Sequence, residues 1–222
     1  MRFIKATLLA LAILPTQVRA QGLAAPPGWK WTADGQVRMV NDEQTARESA
    51  DAMWFVRMPP GFHITMGPGG VLYHPEAGAD GRFEVESEIF LFPGTAQGEY
   101  GLMLGGRDLG GRAGWTAFVA RRDGSAAVLQ RRDGETRVAR EWQPSSAIVP
   151  GRADGTARNV LKVVVGTEVV FTVNGGEVAR LPAADLMLDG TIGLRVGAGV
   201  NLHVTSLDLL RHLAPARTPR ND

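Results

Sequence analysis

The sequence has no cysteine, few aromatic side chains and no surplus of either charge. The missing thiol excludes disulfides, thiolate catalysis, zinc ribbons and iron–sulfur clusters. A formal net charge of +1 gives no electrostatic basis for binding nucleic acid. The motifs of serine hydrolases and zinc metalloproteases are absent, and no two histidines have the spacing of metal ligands. We therefore expect neither a metal nor a cofactor.

What the sequence does contain is enough apolar material for one core. Hydrophobic residues make up 44% of the 222 positions. A chain of this size buries roughly 70% of its unfolded surface, so one domain can be stable without a disulfide or a metal.

The first twenty residues have the pattern of a secretory signal peptide. Arg2 and Lys5 precede an apolar run over residues 6–14, and the segment ends on the small residue Ala20. The run is about half the length of roughly 20 residues that a membrane-spanning helix needs. We expect cleavage after Ala20, no membrane span in the mature protein, and a periplasmic or extracellular location. Loss of Arg2, Lys5 and Arg19 would leave a net charge of −2.

Apolar and polar residues alternate along most of the remaining chain. Between Arg82 and Phe92 the apolar side chains occupy every second position over most of the segment, which is typical of a half-buried strand. The same period recurs in eight further segments: 101–104, 115–120, 126–129, 136–140, 160–165, 169–173, 192–196 and 200–204. Asp-Gly and Asn-Gly pairs, which tolerate positive φ, stand between many of them. The pattern predicts an all-β sandwich or barrel, with residues 114–142 as a three-stranded antiparallel meander.

Only one segment has helical spacing. It runs from Asp42 to Met53, with Asp42 as a possible N-cap. We divide the chain into a signal peptide (1–20), an N-terminal extension packed on the sandwich (21–61), a β domain (62–210) and a flexible tail rich in arginine and proline (211–222).

Five pieces of the chain, taken in order, resemble the concanavalin A-like lectin and glucanase superfamily, in particular laminin-G-like and keto-disaccharide-hydrolase-like domains of unknown function. They are Phe83–Ile89, Tyr100–Leu104, Trp115–Ala120, Val169–Gly175 and Gly190–Val196. The resemblance implies a two-sheet antiparallel jelly-roll sandwich whose concave face often holds sugars. It says little about activity, because this fold carries lectins, hydrolases and inert modules.

Glu84, Glu86 and Glu88 form a row of three carboxylates on one strand face. The row is similar to the Glu-x-Asp-x-Glu signature of family-sixteen glucanases, in which the outer two carboxylates are nucleophile and acid/base, although Glu86 replaces the central Asp. Alternate residues of a strand are about 6.8 Å apart, whereas retaining hydrolysis needs carboxyl groups about 5–5.5 Å apart. Three interpretations of the row remain open. Glu84 and Glu88 are a catalytic pair, the row binds calcium or another ligand, or it is a solvated face of ion pairs.

The remaining candidates are residues that could contact a ligand. Tyr100 and Trp115 stand near the starts of strands, where either ring could stack on a sugar or pack in the core. If strands 191–196 and 200–205 pair, Arg195 and His203 share a polar face. We expect Glu86, Tyr100, Trp115, Arg195 and His203 to contact the ligand.

The sequence thus favours an exported protein that binds carbohydrate or glycoconjugate on a concave sheet face. The alternatives are a glycoside hydrolase that uses Glu84 and Glu88, and a structural or protein-interaction sandwich.

Overall fold

The computed structural model describes residues 25–212, so the predicted signal peptide, residues 21–24 and tail residues 213–222 lie outside the described residues. The strands are β1 (Lys30–Ala33), β2 (Arg38–Met39), β3 (Ala52–Arg57), β4 (Phe62–Met66), β5 (Gly70–Ala79), β6 (Phe83–Leu91), β7 (Tyr100–Arg107), β8 (Gly114–Ala120), β9 (Ser125–Arg132), β10 (Glu135–Pro144), β11 (Ala157–Val165), β12 (Glu168–Val173), β13 (Gly176–Pro182), β14 (Gly190–Val196) and β15 (Val200–Arg211). One α-helix, α1 (Glu43–Glu48), and one 3₁₀ turn (Ala183–Asp185) complete this part of the chain. Neither is long or apolar enough to cross a bilayer.

The strands form two sheets that pack face to face. The seven-stranded sheet has the order β1-β5-β14-β7-β8-β9-β10, and the eight-stranded sheet has the order β13-β12-β11-β6-β15-β4-β3-β2. Neighbours are antiparallel except β2 and β3. This arrangement confirms the predicted two-sheet jelly roll, and the pairing of β8 with β9 and of β9 with β10 confirms the predicted meander.

The main core fills the space between the sheets. On β6 the buried residues Phe83, Val85, Ile89 and Leu91 face it, as the period of two predicts. Phe118 of β8 meets Phe171 of β12 across the core at a ring-centroid distance of 5.2 Å. Full burial of such a ring contributes about 1.5–3 kcal/mol, so the two sheets are joined chiefly by apolar contact.

The described part of the predicted N-terminal extension, residues 25–61, supplies strands to both sheets. β1 pairs with β5 at one edge of the seven-stranded sheet, and β3 pairs with β4 in the eight-stranded sheet. The N-terminal segment is therefore hydrogen-bonded into the sandwich as well as packed on it.

The predicted helix is shorter than expected. Asp42 is its N-cap and accepts a hydrogen bond from the Thr45 amide, as predicted. The helix ends at Glu48, however, and Met53 lies fully buried in strand β3. The helical spacing beyond Glu48 was wrong because packing of Met53 and Phe55 into the core outweighs local propensity.

The strands at 191–196 and 200–205 do not pair, so the condition under which Arg195 and His203 would share a polar face is not met. β14 belongs to the seven-stranded sheet and β15 to the eight-stranded sheet. The three residues between them carry the chain across the sandwich instead of forming a hairpin within one sheet.

The seven-stranded sheet is buried on its outer face as well. A second cluster there includes Val71, Met103, Trp115 and Val119, all at most 2% exposed. The β7–β8 connection covers part of this face, since Leu109 and Ala113 belong to the same cluster and the Thr32 hydroxyl donates to the Leu109 carbonyl.

Candidate functional site

The residues predicted to contact a ligand lie in three separate places. Trp115 and Arg195 are on the outer face of the seven-stranded sheet. Glu86 and His203 are on the outer face of the eight-stranded sheet, together with Glu84 and Glu88. Tyr100 lies between the sheets in the main core. One small ligand cannot contact all of them.

Tyr100 is a residue of the main core. Its ring is fully buried, and its hydroxyl accepts a hydrogen bond from Asn159 Nδ2 at 3.0 Å across the two sheets. Burial raises the pKa of Tyr100 to about 12. The ring presents no face to solvent and therefore cannot stack on a sugar.

Four side chains form what we call the Arg195 centre: Arg195, Asp34, Glu99 and Trp115. Arg195 Nη2 lies 2.6 Å from Asp34 Oδ2 and 2.8 Å from Glu99 Oε1. Arg195 Nε also donates to Glu99 Oε1 at 3.0 Å, and Arg195 Cζ lies 5.5 Å from the centroid of the Trp115 ring. The centre thus combines donors, acceptors and an aromatic face.

The loops at one end of the sandwich hold the two carboxylates in place. Asp34 follows β1 and donates its amide to the Gly69 carbonyl, while Gly197 donates its amide to the Glu99 carbonyl. A Cβ on Gly197 would lie 2.5 Å from the Glu99 nitrogen. Only glycine allows the loop to approach Glu99 so closely.

The two carboxylates of the centre keep Arg195 charged. Burial alone would lower the pKa of Arg195, but the hydrogen bonds and charges of Asp34 and Glu99 outweigh burial and raise it. The side chain of Arg195 is 10% exposed, against 15% for Glu99 and 34% for Asp34. Arg195 Nη1 is buried and has no hydrogen-bond partner. The carboxylates are therefore the parts of the centre that solvent or a ligand reaches first.

Trp115 is not a stacking platform in this arrangement. Its ring is 2% exposed and faces the Arg195 guanidinium. A cation near an aromatic face contributes about 0.5–2 kcal/mol, so the ring holds the guanidinium in position.

The acidic row is paired with cations. Lys162 Nζ lies 2.7 Å from Glu84 Oε2 and 3.8 Å from Glu86 Oε2, and Arg158 Nη2 lies 2.5 Å from Glu88 Oε1. The hydrogen bond from Lys162 lowers the pKa of Glu84 below its usual value. Within residues 25–212 no group of three or more His, Asp or Glu side chains is arranged to hold a metal. The row thus has the ion-pair arrangement that the sequence left open.

His203 and the neighbouring His63 lie at the other end of the same face. His203 Nε2 is 2.7 Å from the Pro60 carbonyl, and the two imidazole centroids are 6.1 Å apart. His63 is 4% exposed, and its Nε2 lies 2.8 Å from Asn201 Oδ1.

The hydrogen bonds of Asn201 fix the tautomer of His63. Asn201 Nδ2 donates to Glu43, so Asn201 Oδ1 is the acceptor and His63 Nε2 carries the proton. His63 Nδ1 is then a buried acceptor without a partner. Desolvation, aided by the charges of His203 and Arg47, lowers the pKa of His63 against the opposing effects of Asn201 and Glu43.

Sequence reasoning missed Asp34, Glu99 and His63. Asp34 belongs to an Asp-Gly pair, which predicts only a turn, and Glu99 belongs to no motif. Their partners are 161 and 96 positions away along the chain, so no local spacing could have connected them to Arg195.

No protein-family model matches this sequence, and a comparison with curated proteins found no significant match. Solved structures share its fold. The carbohydrate-binding module CBM66 of Bacillus subtilis matches with a TM-score of 0.56 at 13% identity, covering 82% of this chain and 95% of that one. A protein of unknown function with a galectin-like fold, also from Bacillus subtilis, matches with a TM-score of 0.56 at 13% identity, covering 83% and 90%.

A third structure is the GH16 protein of a mixed-linkage glucan locus of Bacteroides ovatus, in complex with a product. It matches with a TM-score of 0.51 at 9% identity, covering 82% of this chain and 94% of that one. This chain therefore has the concanavalin A-like fold, which it shares with carbohydrate-binding modules. At such low identity the likeness extends to the fold alone.

We predict that His63 makes the protein less stable in mild acid. Because its pKa in the folded state is lowered, the unfolded chain takes up a proton first as the pH falls below about 6.5. The free energy of unfolding should therefore fall by up to about 1.4 kcal/mol per pH unit below that value. Urea unfolding between pH 7.5 and 5 measures this loss, which His63→Gln should reduce.

The matched control is His74→Gln, since His74 lies on β5 away from this cluster. It should keep the wild-type pH dependence. Identical slopes for wild type and His63→Gln would contradict the assignment.

Proposed function

We propose that the protein binds carbohydrate or a glycoconjugate through the Arg195 centre. The observation that carries the proposal is the state of Arg195, which is 8% exposed, tied to two carboxylates, and left with Nη1 unpartnered. Buried polar groups are normally satisfied, and those that are not call for an explanation. Nη1 itself is shielded from solvent, so a ligand would meet the partly exposed carboxylates of Asp34 and Glu99 that Arg195 holds in place.

Saccharide hydroxyl groups suit this combination of atoms. A hydroxyl both donates and accepts, so it can accept from a guanidinium while it donates to a neighbouring carboxylate. Hydrogen bonds to charged groups contribute about 1.5–3 kcal/mol each. Vicinal hydroxyls on one sugar ring could therefore engage Asp34 and Glu99 together.

The same geometry limits the affinity that we propose. Trp115 contributes no exposed ring, so polar contacts must offset the cost of association, about 4 kcal/mol or more. A weak, hydroxyl-specific interaction follows. The fold shared with a carbohydrate-binding module supports the class of ligand.

The variants Asp34→Asn and Glu99→Gln test the proposal. Each removes a charged acceptor at the more exposed part of the centre, and Arg195 keeps its other carboxylate. On a glycan array, and then by calorimetry on any glycan retained, we expect each variant to bind about tenfold more weakly, which corresponds to about 1.4 kcal/mol.

The control is Glu168→Gln, whose carboxylate pairs with Arg180 on the eight-stranded sheet. It should bind as the wild type does. Equal retention by all variants would refute the Arg195 centre as the binding site, and an empty array would favour the structural or protein-interaction class.

The hydrolase alternative makes a separate prediction. A retaining hydrolase needs one carboxylic acid that keeps its proton near neutral pH. Glu84 does not meet this requirement, because the hydrogen bond from Lys162 lowers its pKa and so favours the ionised form. We expect no release of reducing ends from β-glucans by the wild type, Glu84→Gln or Glu88→Gln. Release by the wild type that either variant abolishes would restore the hydrolase.

We also propose that the protein acts outside the cytoplasm. The charged start, the apolar run and the Ala20 end of the leader support export. Mass spectrometry of the protein from the producing cell should find an N-terminus at or near Gln21. A mature protein that retains Met1 would contradict this proposal.

A further inference from the structure

A second polar cleft lies on the seven-stranded sheet, beside the β7–β8 connection. It has a volume of about 450 Å³ and is lined by Arg107, Asp108, Arg112, Gly114, Arg132, Asp133 and Met187. We call it the arginine cleft. Three guanidinium groups therefore share one small space with two carboxylates.

The arginines of this cleft have no carboxylate partner. Within residues 25–212, none of Arg107, Arg112 and Arg132 lies within ion-pair distance of an Asp or Glu oxygen, and all three are exposed. Arg107 donates only Nε, to the Asp189 carbonyl, which leaves its two terminal nitrogens free.

The two carboxylates of the cleft have local roles. Asp108 Oδ2 accepts the amide of Arg112 and so holds the connection closed on itself. Asp133 stands in the β9–β10 hairpin with φ of 52°, followed by Gly134 with φ of 85°, as a tight turn between two strands requires. Each carboxylate is placed by the backbone turn that it serves.

A larger groove provides the contrast. It has a volume of about 920 Å³, and Arg82, Arg180 and Arg211 are among its lining residues. There Arg180 pairs with Glu168 and Glu177, Arg211 donates to the Gly78 carbonyl, and His212 pairs with Glu84. Within residues 25–212, Arg180 and Arg211 are thus held by partners, whereas the three arginines of the arginine cleft have no carboxylate partner.

Arg-Arg-Asp-Gly occurs twice in the chain, at residues 121–124 and 131–134, and gives an internal comparison. In the first copy Arg122 is 7% exposed and donates to the carbonyls of Phe92, Ala96 and Arg152. In the second copy Arg132 is exposed at the rim of the cleft. The first arginine holds loops together, whereas the second meets only solvent.

We infer that the arginine cleft is an oxyanion-binding site, which takes the carboxylate, sulfate or phosphate group of an acidic ligand. Planar guanidinium groups match the geometry of such groups and bind them by charge-assisted hydrogen bonds. Gly114 lines the cleft without a side chain, and Met187 gives it an apolar wall. Three arginines against two carboxylates leave a net positive charge.

Calorimetry with a set of small probes tests the site on the mature protein. The probes are a trigalacturonate, a neutral galactotriose, a sulfated disaccharide, inorganic sulfate and inorganic phosphate. We expect the anionic probes to bind and the neutral trisaccharide to gain nothing from this cleft. Arg112→Gln and Arg132→Gln should each weaken binding of the anionic probes about tenfold, and higher salt should weaken it further.

The control is Arg137→Gln, a neighbouring exposed arginine on β10 that pairs with Glu135 and does not line the cleft. It should bind like the wild type, and melting curves should show that all three variants remain folded. Tighter binding of the acidic saccharides than of the inorganic ions would identify the source of the anion as a sugar. The reverse order would identify a free inorganic anion as the source.

The inference would be overturned if no anionic probe bound, or if binding were the same in Arg112→Gln, Arg132→Gln and the wild type. Its failure is separate from that of the proposed glycan site. A neutral glycan that depends on Glu99 and not on Arg132 would support the Arg195 centre alone, whereas anion binding that depends on Arg132 and not on Glu99 would support the cleft alone.

Discussion

The hydroxyl of Thr32 on the edge strand β1 donates to the carbonyl of Leu109 and so closes the β7–β8 connection over the outer face of the seven-stranded sheet. With Leu109 and Ala113 in place, that sheet has a core on each side. A ligand that approaches the middle of this face meets the protein's own chain. The polar side chains of this sheet that a ligand could reach therefore lie at the ends of the strands, where the Arg195 centre and the arginine cleft are found.

Burial on both faces also explains how far the sequence could be interpreted. On β6 the alternation of apolar and acidic residues corresponds to core and solvent, and the predicted strand and its facing were confirmed. On β8 every residue is buried, so alternation no longer distinguishes core from surface. Trp115 could therefore be assigned to a strand from sequence but not to a face or a partner. Arg195 could be assigned to the polar face of its strand but not to its partners. The fold class could be predicted because it depends on the period-two alternation of apolar and polar residues. The site could not be predicted, since it depends on the second apolar cluster on the outer face of the seven-stranded sheet.

The course of the chain between β14 and β15 is a second feature that the sequence did not determine. The three residues between β14 and β15 are as short as a hairpin loop, yet they carry the chain from one sheet to the other. Gly199, with φ of 71°, fits either outcome. The choice is made by Val196 and Val200, both 1% exposed, which must enter the core from opposite sheets. Arg195 and His203 consequently point away from each other on opposite outer faces, a separation that only long-range packing determines.

The distribution of charge follows the same logic. On the eight-stranded sheet, whose outer face meets solvent, neighbouring strands β6 and β11 place Glu84 opposite Val164 and Glu86 opposite Lys162, so acids and bases are within reach of each other. Exposed pairs of this kind contribute only about 0–1 kcal/mol each, and their main effect is to neutralise that face.

Within residues 25–212, the ends of the seven-stranded sheet have no such row of opposed acids. Some arginines there are buried against distant carboxylates, as Arg195 is, and others have no carboxylate partner among residues 25–212, as Arg132 has none. Since desolvation makes an unpaired buried cation costly, the first kind must be held by its partners in every state of the protein, while the second can exchange solvent for a ligand at little cost. The two kinds of arginine thus suit the two tasks that we propose: a fixed polar centre that orients hydroxyl groups, and a cationic cleft that attracts an acidic group.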